Sequence, residues 1–254
     1  MLTVRRYGQE IKIPAVVDAT ETPYTYRPFE RDGWYEEPFL QHIRRRDRHG
    51  VYVDAGAHLG THTTWFATLC PATHVHAVEP LSRFADQIDR IVEANDLGER
   101  VSVHRVGLAD ESGTATNHLS PEHQIGFDPV GEQAARDETF PVTTLDELVT
   151  DPVAVIKIDV EGMEERVLRG AKRILENDRP TVYVEAFDRE LLRGITEVLR
   201  PFGYSPTGKV FNGTPTYEFA PATPVSRVTG PGLLLANNVT RAARKRVGHV
   251  LKRG

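Results

Sequence analysis

The sequence predicts a doubly wound α/β fold, a mostly parallel seven-stranded sheet with helices on both faces. Three observations predict it. Short apolar runs alternate with helical patterns from about residue 50 to residue 220, which is the signature of consecutive βα units. A glycine-rich turn, Asp54-Ala-Gly-Ala-His-Leu-Gly60, follows the apolar run Val51–Val53 and opens a helix, the arrangement that cradles nucleotides. Near the end, Asn212-Gly213 joins two strand-like runs, a hairpin signal that closes the alternation with an antiparallel pair.

The elements follow in order. Val51–Asp54 is the first strand, with a helix from about Gly60 to Leu69. His74–Glu79 is the second strand, followed by a helix over about Ser82–Asn95 that ends just before Gly98. Val101–Val106 supplies the third, after which Ala109-Asp-Glu-Ser-Gly113 reads as a turn into a short run, Thr114–Leu119. Ala154–Asp159 is the fourth strand, trailed by one helix over about Met163–Asn177; Pro180 ends the loop before the fifth, Thr181–Glu185. A helix over about Asp188–Leu199 and the hairpin Tyr204–Phe211 with Thr214–Phe219 complete the sheet. Two stretches lack this patterning: Thr20–Pro38, rich in aromatics and prolines, and the polar Ser120–Glu138. Such segments serve as lids or binding loops. The expected organisation is an N-terminal segment and cap over 1–49, a cofactor-binding domain over 50–220 with 120–138 as candidate lid, and a tail over 221–254.

Composition narrows the class. With 254 residues, 39% hydrophobic and 26% charged, the chain is long enough for one sizeable core. Met1–Glu10 has an Arg pair but no apolar run behind it, and nowhere do 18 apolar residues run together, so neither a signal peptide nor a membrane span is expected. A cytoplasmic location follows as an expectation. Cys70 is the sole cysteine, which excludes an internal disulfide and a cysteine zinc site. Net charge is −5, yet the chain from Ala220 onward carries seven Lys or Arg and no acid, so the remaining body is at −12 (−5 less the tail's 7). A body that acidic repels phosphates and argues against a nucleic-acid partner. From about Asn238 to Arg253, Val239, Ala242, Ala243, Val247, Val250 and Leu251 are interleaved with the bases. An amphipathic helix of that kind would rest on an anionic membrane as a peripheral contact.

The glycine turn also suggests its ligand. Dinucleotide turns seat a pyrophosphate on the helix N-terminus, where an aspartate at position 54 would repel it. S-adenosylmethionine carries a sulfonium and an ammonium, so Asp54 suits it, and Gly56, Ala57, His58, Gly60 and Thr61 become the turn that approaches it. Glu79 ends the second strand 19 residues after Gly60, near the ~20-residue spacing of an acid that chelates ribose hydroxyls, and Pro80 closes the strand. Gly107-Leu108-Ala109-Asp110 would bracket the adenine, with Asp110 accepting from its amino group; a plain turn is the alternative.

Charge at the later strand ends needs a reason. Lys157-Ile-Asp159-Val-Glu161-Gly162 follows an apolar lead-in, and Glu185 ends the next strand. Ligands of open parallel sheets bind beyond the strands' carboxyl ends. There Asp159, Glu161 and Glu185 are positioned to remove a proton, orient a hydroxyl, or hold a divalent cation such as Mg²⁺ through Asp159 and Glu185. Alternatively Lys157 pairs with one carboxylate and Glu161 starts the helix, where acid is favoured. His118 and His123 fall in the candidate lid, and His123 is a candidate acceptor contact or base. His58 and His62, an i, i+4 pair, read as structural.

These residues add up to a resemblance. Val-Asp-Ala-Gly-Ala-His-Leu-Gly60, Ala77-Val-Glu-Pro80, Thr143-Thr-Leu-Asp-Glu-Leu148 and especially Ile156-Lys-Ile-Asp-Val-Glu-Gly-Met-Glu-Glu-Arg-Val-Leu-Arg-Gly170 resemble the FkbM family of S-adenosylmethionine-dependent methyltransferases over roughly residues 35–190. The resemblance implies a Rossmann-like methyltransferase fold and O-methylation of a hydroxyl on a sugar, glycolipid, polyketide or other small molecule. Glu37-Pro38 resembles the family's short acidic motif before the first strand, implying contact with cofactor or substrate. The chain departs at His58 and Arg105, where the family commonly has asparagine. In the expected reaction the acceptor hydroxyl attacks the sulfonium methyl with Asp159 as first candidate base. Two other readings compete: a nicotinamide-dependent reductase, for which no Tyr-x-x-x-Lys pair occurs, and a non-catalytic scaffold, against which the acids at three strand ends count. No Asn/Asp-Pro-Pro-aromatic motif follows the fourth strand, so nucleic-acid methylation is not expected.

Overall fold

The computed structural model describes residues 1–17, 23–117 and 138–222. The candidate lid, His118, His123 and the basic tail fall outside these residues, apart from Glu138, Pro221 and Ala222.

The sequence-predicted sheet is present. Its strands are β3 (Gly50–Ala55), β4 (Ala72–Val78), β5 (Val101–His104), β9 (Val153–Ile158), β10 (Thr181–Glu185), β11 (Tyr204–Phe211) and β12 (Thr216–Pro221), in the order β11-β12-β10-β9-β3-β4-β5. Only β12 runs against its neighbours. Strand order reverses between β3 and β9, so the crevice beyond their carboxyl ends is the ligand position this topology creates. The central strands β3, β9 and β10 read as nearly unbroken apolar runs because both faces are covered. One face packs under α1 (Glu37–Arg45), α2 (Thr61–Leu69) and α3 (Ser82–Ala94), the other under α5 (Glu164–Arg169) and α6 (Arg189–Leu199). Alternation divides each strand between them: Val51, Val53 and Ala55 go to the second core, Tyr52 to the first.

The N-terminal segment is structured and shares the first core. β1 (Leu2–Arg6) and β2 (Gln9–Ile13) form a hairpin across Tyr7-Gly8, both at positive φ (49° and 82°), the turn whose twist matches the strands. Val4, Ile11, Ile13, Tyr26, Phe29 and Trp34 are buried with Trp65 and Phe66 of α2. Trp34 meets Trp65 edge-on at 5.2 Å, the geometry aromatic quadrupoles favour.

Three details depart from the sequence expectation. The third strand stops at His104; Gly107–Leu108 (β6) instead joins β8 (Glu138–Thr143) and β7 (Gly113–Asn117) in a second, three-stranded sheet. The single helix expected over 163–177 is broken after Arg169. Gly170 lies against the Ala109 carbonyl, which a Cβ would approach to 2.1 Å. Beyond it, the Asp146 carboxylate accepts from the amides of Arg173 (2.7 Å) and Ile174 (3.1 Å), and the chain runs on as a π turn over Ile174–Asp178. Asp146 thus caps a second segment, from the four-residue helix α4 (Leu145–Leu148). Finally, the last strand starts at Thr216, two residues later than expected. Among the described residues no helix is long and apolar enough to cross a membrane.

Candidate active site

The turn after β3 is shaped by backbone of unusual hand. Gly56 (φ 74°), His58 (φ 49°) and Gly60 (φ 76°) all take left-handed conformations. At Gly56 no side chain fits, since a Cβ would stand 1.8 Å from the Asp159 carbonyl. The glycine therefore lets the turn lie directly on the end of β9. His58 occupies a conformation that asparagine and histidine tolerate better than most residues, which explains histidine where the resemblance has asparagine. Its ring packs edge-on against Phe84 at 4.3 Å, and burial lowers its pKa to about 4, so it is neutral at pH 7.

The turn's amides are already engaged. Gly56 and Ala57 donate to the Val78 carbonyl at 3.0 Å each, and Gly60 to the Ala57 carbonyl at 2.8 Å. His58 donates to Glu79 Oε2 at 2.9 Å, while Leu81 donates to Oε1 at 3.0 Å. Close approach, more than donated hydrogen bonds, is what these residues offer a ligand. Glu79 is buried (5% exposed), and burial raises its carboxyl to about 7 against the partial opposition of those two amides. Thr61 opens α2 and is buried. Its carbonyl accepts from Trp34 Nε1 (3.1 Å), and the Leu59 carbonyl accepts from the Tyr26 hydroxyl (3.0 Å). The N-terminal segment thus braces the turn.

Asp54, expected beside the cofactor's cationic end, is engaged by protein groups on both carboxylate oxygens. It is wholly buried and stands in direct register with Lys157 on β9, so the two side chains meet across the strands. Lys157 Nζ is 3.2 Å from Asp54 Oδ1 and 3.8 Å from Asp159 Oδ2, and it donates to the Gly56 carbonyl at 2.7 Å. Thr63 donates to the other Asp54 oxygen at 2.6 Å. Burial alone would lower the Lys157 pKa, but Asp54 and then Asp159 outweigh it and hold the ammonium above its ordinary range. Lys157, expected at the acceptor, is 4% exposed; it lies beneath the crevice as a charged tie between turn and strand.

The carboxylates of the later strand ends do converge. Asp159 follows β9 with its side chain 38% exposed. Glu185 ends β10 beside it, and burial together with that neighbouring carboxylate holds the Glu185 carboxyl well above the usual range. Glu161, on left-handed backbone (φ 54°), stands at the rim. Desolvation by surrounding atoms, then the charges of Asp159 and Glu164, raise it to about 7. The turn between is organised by Glu164, missed by sequence reasoning, whose buried carboxylate accepts from the amides of Val160 and Gly162 at 3.1 Å each. Among the described residues no group of three or more His, Cys, Asp or Glu side chains is placed to hold a metal ion.

Two expected contacts lie elsewhere. Asp110, beyond Gly107 and the buried Leu108, is bound by Arg166 Nε at 2.6 Å, and that guanidinium holds its carboxyl below the usual range. Glu37 is paired with Arg6 of the hairpin through both oxygens, at 3.0 and 3.1 Å. Its neighbour Glu36 is the acid that reaches the crevice. Glu36 Oε2 accepts from Asn212 Nδ2 at 2.8 Å and lies 3.3 Å from His62 Nε2. The only sequence signal for it was its adjacency to Glu37. A cavity of about 370 Å³ lined by Arg169, Lys172, Glu197, Val198, Pro201 and Phe202 opens between the end of α5 and the end of α6.

Comparison with known proteins identifies the family. Residues 54–206 match the model of the methyltransferase FkbM domain. Over 141 residues the chain is 30% identical to the hexuronic acid methyltransferase AglP of Haloferax volcanii, covering 53% of this chain and 55% of that protein. It therefore spans about half the length of that curated relative. The crystal structure of methyltransferase FkbM from Methylobacillus flagellatus superposes with a TM-score of 0.51 at 18% identity, over 77% of this chain and 53% of that one, a likeness of fold. With the family model matching more than half of its length, the chain belongs to the FkbM methyltransferase family.

Proposed function

We propose that the protein transfers the methyl group of S-adenosylmethionine to a hydroxyl of a sugar, with Asp159 as the base. The observation that carries this reading is the Asp159–Glu185 pair, two acids at the carboxyl ends of the neighbouring strands β9 and β10, beside the turn on which Gly56 and Glu79 converge. The family assignment leaves the nicotinamide reductase alternative without support, and the relative acting on a hexuronic acid favours a carbohydrate acceptor.

When bound, the cofactor supplies a methyl on a good leaving group. The protein must align the acceptor and take up a proton of high pKa. Glu79, with its amide-held oxygens and remaining lone pairs, suits the ribose hydroxyls, and the collapsed turn at Gly56 admits the adenosyl moiety closely. Gly107 and Leu108 flank the adenine side. Asp54 acts indirectly, by fixing Lys157 and Thr63 under the turn. Glu185, its carboxyl held well above the usual range, is the protonated neighbour, and Asp159 accepts the hydroxyl proton; Glu161 at the rim is a second polar contact. Incubation with [methyl-³H]S-adenosylmethionine and methyl glucopyranosiduronic acid tests the proposal. Label on the sugar as an alkali-stable ether is expected; label recovered only as a base-labile ester would remove the hydroxyl reading.

A further inference from the structure

Glu36 is an acid at the crevice that neither the cofactor turn nor the carboxylate pair uses. It precedes α1 on left-handed backbone, φ 52°, a conformation that costs a non-glycine residue on the order of 1 kcal/mol and clusters at functional sites. Its side chain is 18% exposed. Among the described residues both its contacts, Asn212 Nδ2 at 2.8 Å and His62 Nε2 at 3.3 Å, fall on Oε2 and none on Oε1. His62 Nε2 is buried and makes no hydrogen bond, although that carboxylate lies 3.3 Å away. Asn212, itself at φ 65° in the β11–β12 turn, also donates to Thr216 Oγ1 at 2.9 Å, and Thr216 is the register partner of Glu185. The Glu36 carboxylate and the Asp159 carboxylate act on the same Lys157 ammonium. Tyr35, half-buried, is stacked on His62 at 5.9 Å and immediately precedes Glu36 in the chain.

We propose that Glu36 and Asn212, with the ring of Tyr35, form an acceptor subsite that binds the hydroxyl adjacent to the one methylated, so that the acceptor is a vicinal diol on a sugar ring. The inference rests on the methyl-transfer reading above and names its substrate class. A hydroxyl both donates and accepts, and a carboxylate with an amide beside it answers both. An aromatic face beside that pair takes the C–H surface of the sugar. Two segments far apart in sequence, the approach to α1 and the β11–β12 turn, supply these groups, none of which the cofactor turn needs.

The test uses wild type, Glu36→Gln and Asn212→Gly, the latter keeping the left-handed turn accessible. Acceptors are methyl glucopyranosiduronic acid and its 2-, 3- and 4-deoxy analogues, with tritium transfer and S-adenosylhomocysteine calorimetry as readouts. Wild type is expected to lose kcat/KM by roughly 10–100-fold on the deoxy analogue lacking the adjacent hydroxyl, the range for a hydrogen bond to a charged group. Glu36→Gln should lose a similar factor on the parent sugar but little more on that analogue, as in a coupled pair. S-adenosylhomocysteine affinity should stay within about twofold, since Glu36 is absent from the Gly56–Glu79 set. Additive losses, or a fall in S-adenosylhomocysteine affinity in Glu36→Gln, would overturn the subsite. Label on the sugar with both variants unchanged overturns the subsite alone; wild type that labels none of these sugars overturns the sugar reading and the subsite with it.

Discussion

Lys157 Nζ lies 3.2 Å from Asp54 Oδ1 across a register pair of β9 and β3, with both side chains sealed from solvent. A buried ion pair of this kind is costly to break from one side, because the partner is left charged and unpaired. Lys157→Met should destabilise the protein by about 3–5 kcal/mol. Adding Asp54→Asn should recover part of that loss, as no bare charge then remains. Urea unfolding checks both, and a single Lys157→Met variant as stable as wild type would show that the pair does not hold the turn to β9.

If Glu79 holds the ribose as proposed, cofactor affinity and stability should respond to pH in opposite directions. Its carboxyl rises from 4.5 to about 7 on folding, so the native state binds the proton more tightly than the unfolded chain. Its contribution to stability is therefore full below pH 4.5, declines as pH rises towards 7, and is gone above it, a change on the order of 3 kcal/mol. Ribose hydroxyls donate to the ionised carboxylate, so S-adenosylhomocysteine binding should strengthen up to tenfold per unit from pH 5.5 to 7, then level off, by roughly that linkage. Calorimetry across this range should show the inflection in wild type and a flat, weaker profile in Glu79→Gln.

Gly56 and Gly170 both exclude a Cβ, at 1.8 Å from the Asp159 carbonyl and 2.1 Å from the Ala109 carbonyl. Only Gly56 lies in the cofactor turn. Gly56→Ala should abolish S-adenosylhomocysteine binding in whatever fraction folds, while Gly170→Ala should lower the melting temperature yet leave affinity within a few fold. Equal affinity losses would mean that the turn has no special part in binding.

Burial and the neighbouring Asp159 carboxylate hold the Glu185 carboxyl well above the usual range, so it is protonated at neutral pH and an amide mimics that form. Glu185→Gln should therefore keep kcat within about tenfold of wild type, a small loss beside the 10²–10⁴ of a general base. Steady-state kinetics on the glucuronoside decides, and a loss as large as for Asp159→Asn would make Glu185 the base.

The sheet was legible because its apolar runs alternate with helical periods, and the crevice because acids end the strands Ala77-Val-Glu79 and Ile156-Lys-Ile-Asp159. What escaped was decided by tertiary contact. The Leu2–Ile13 hairpin has an alternating pattern around Tyr7-Gly8, but lies in a segment whose prolines and aromatics draw attention to loops. Glu36 and Glu37 are adjacent acids, and only the left-handed backbone at Glu36 sends one to the crevice while Arg6 claims the other. Asp54 reads as a ligand group until the register places Lys157 opposite it. Gly170 looked permissible within a helix until Ala109 proved to occupy its Cβ position.

The central claim, that Asp159 accepts the proton of a sugar hydroxyl, is tested most directly by Asp159→Asn measured in two ways on one preparation. Calorimetry should give S-adenosylhomocysteine affinity within a few fold of wild type, while tritium transfer to methyl glucopyranosiduronic acid should fall by about 10²–10⁴. Transfer at the wild-type rate, or affinity lost in step with turnover, would contradict the assignment.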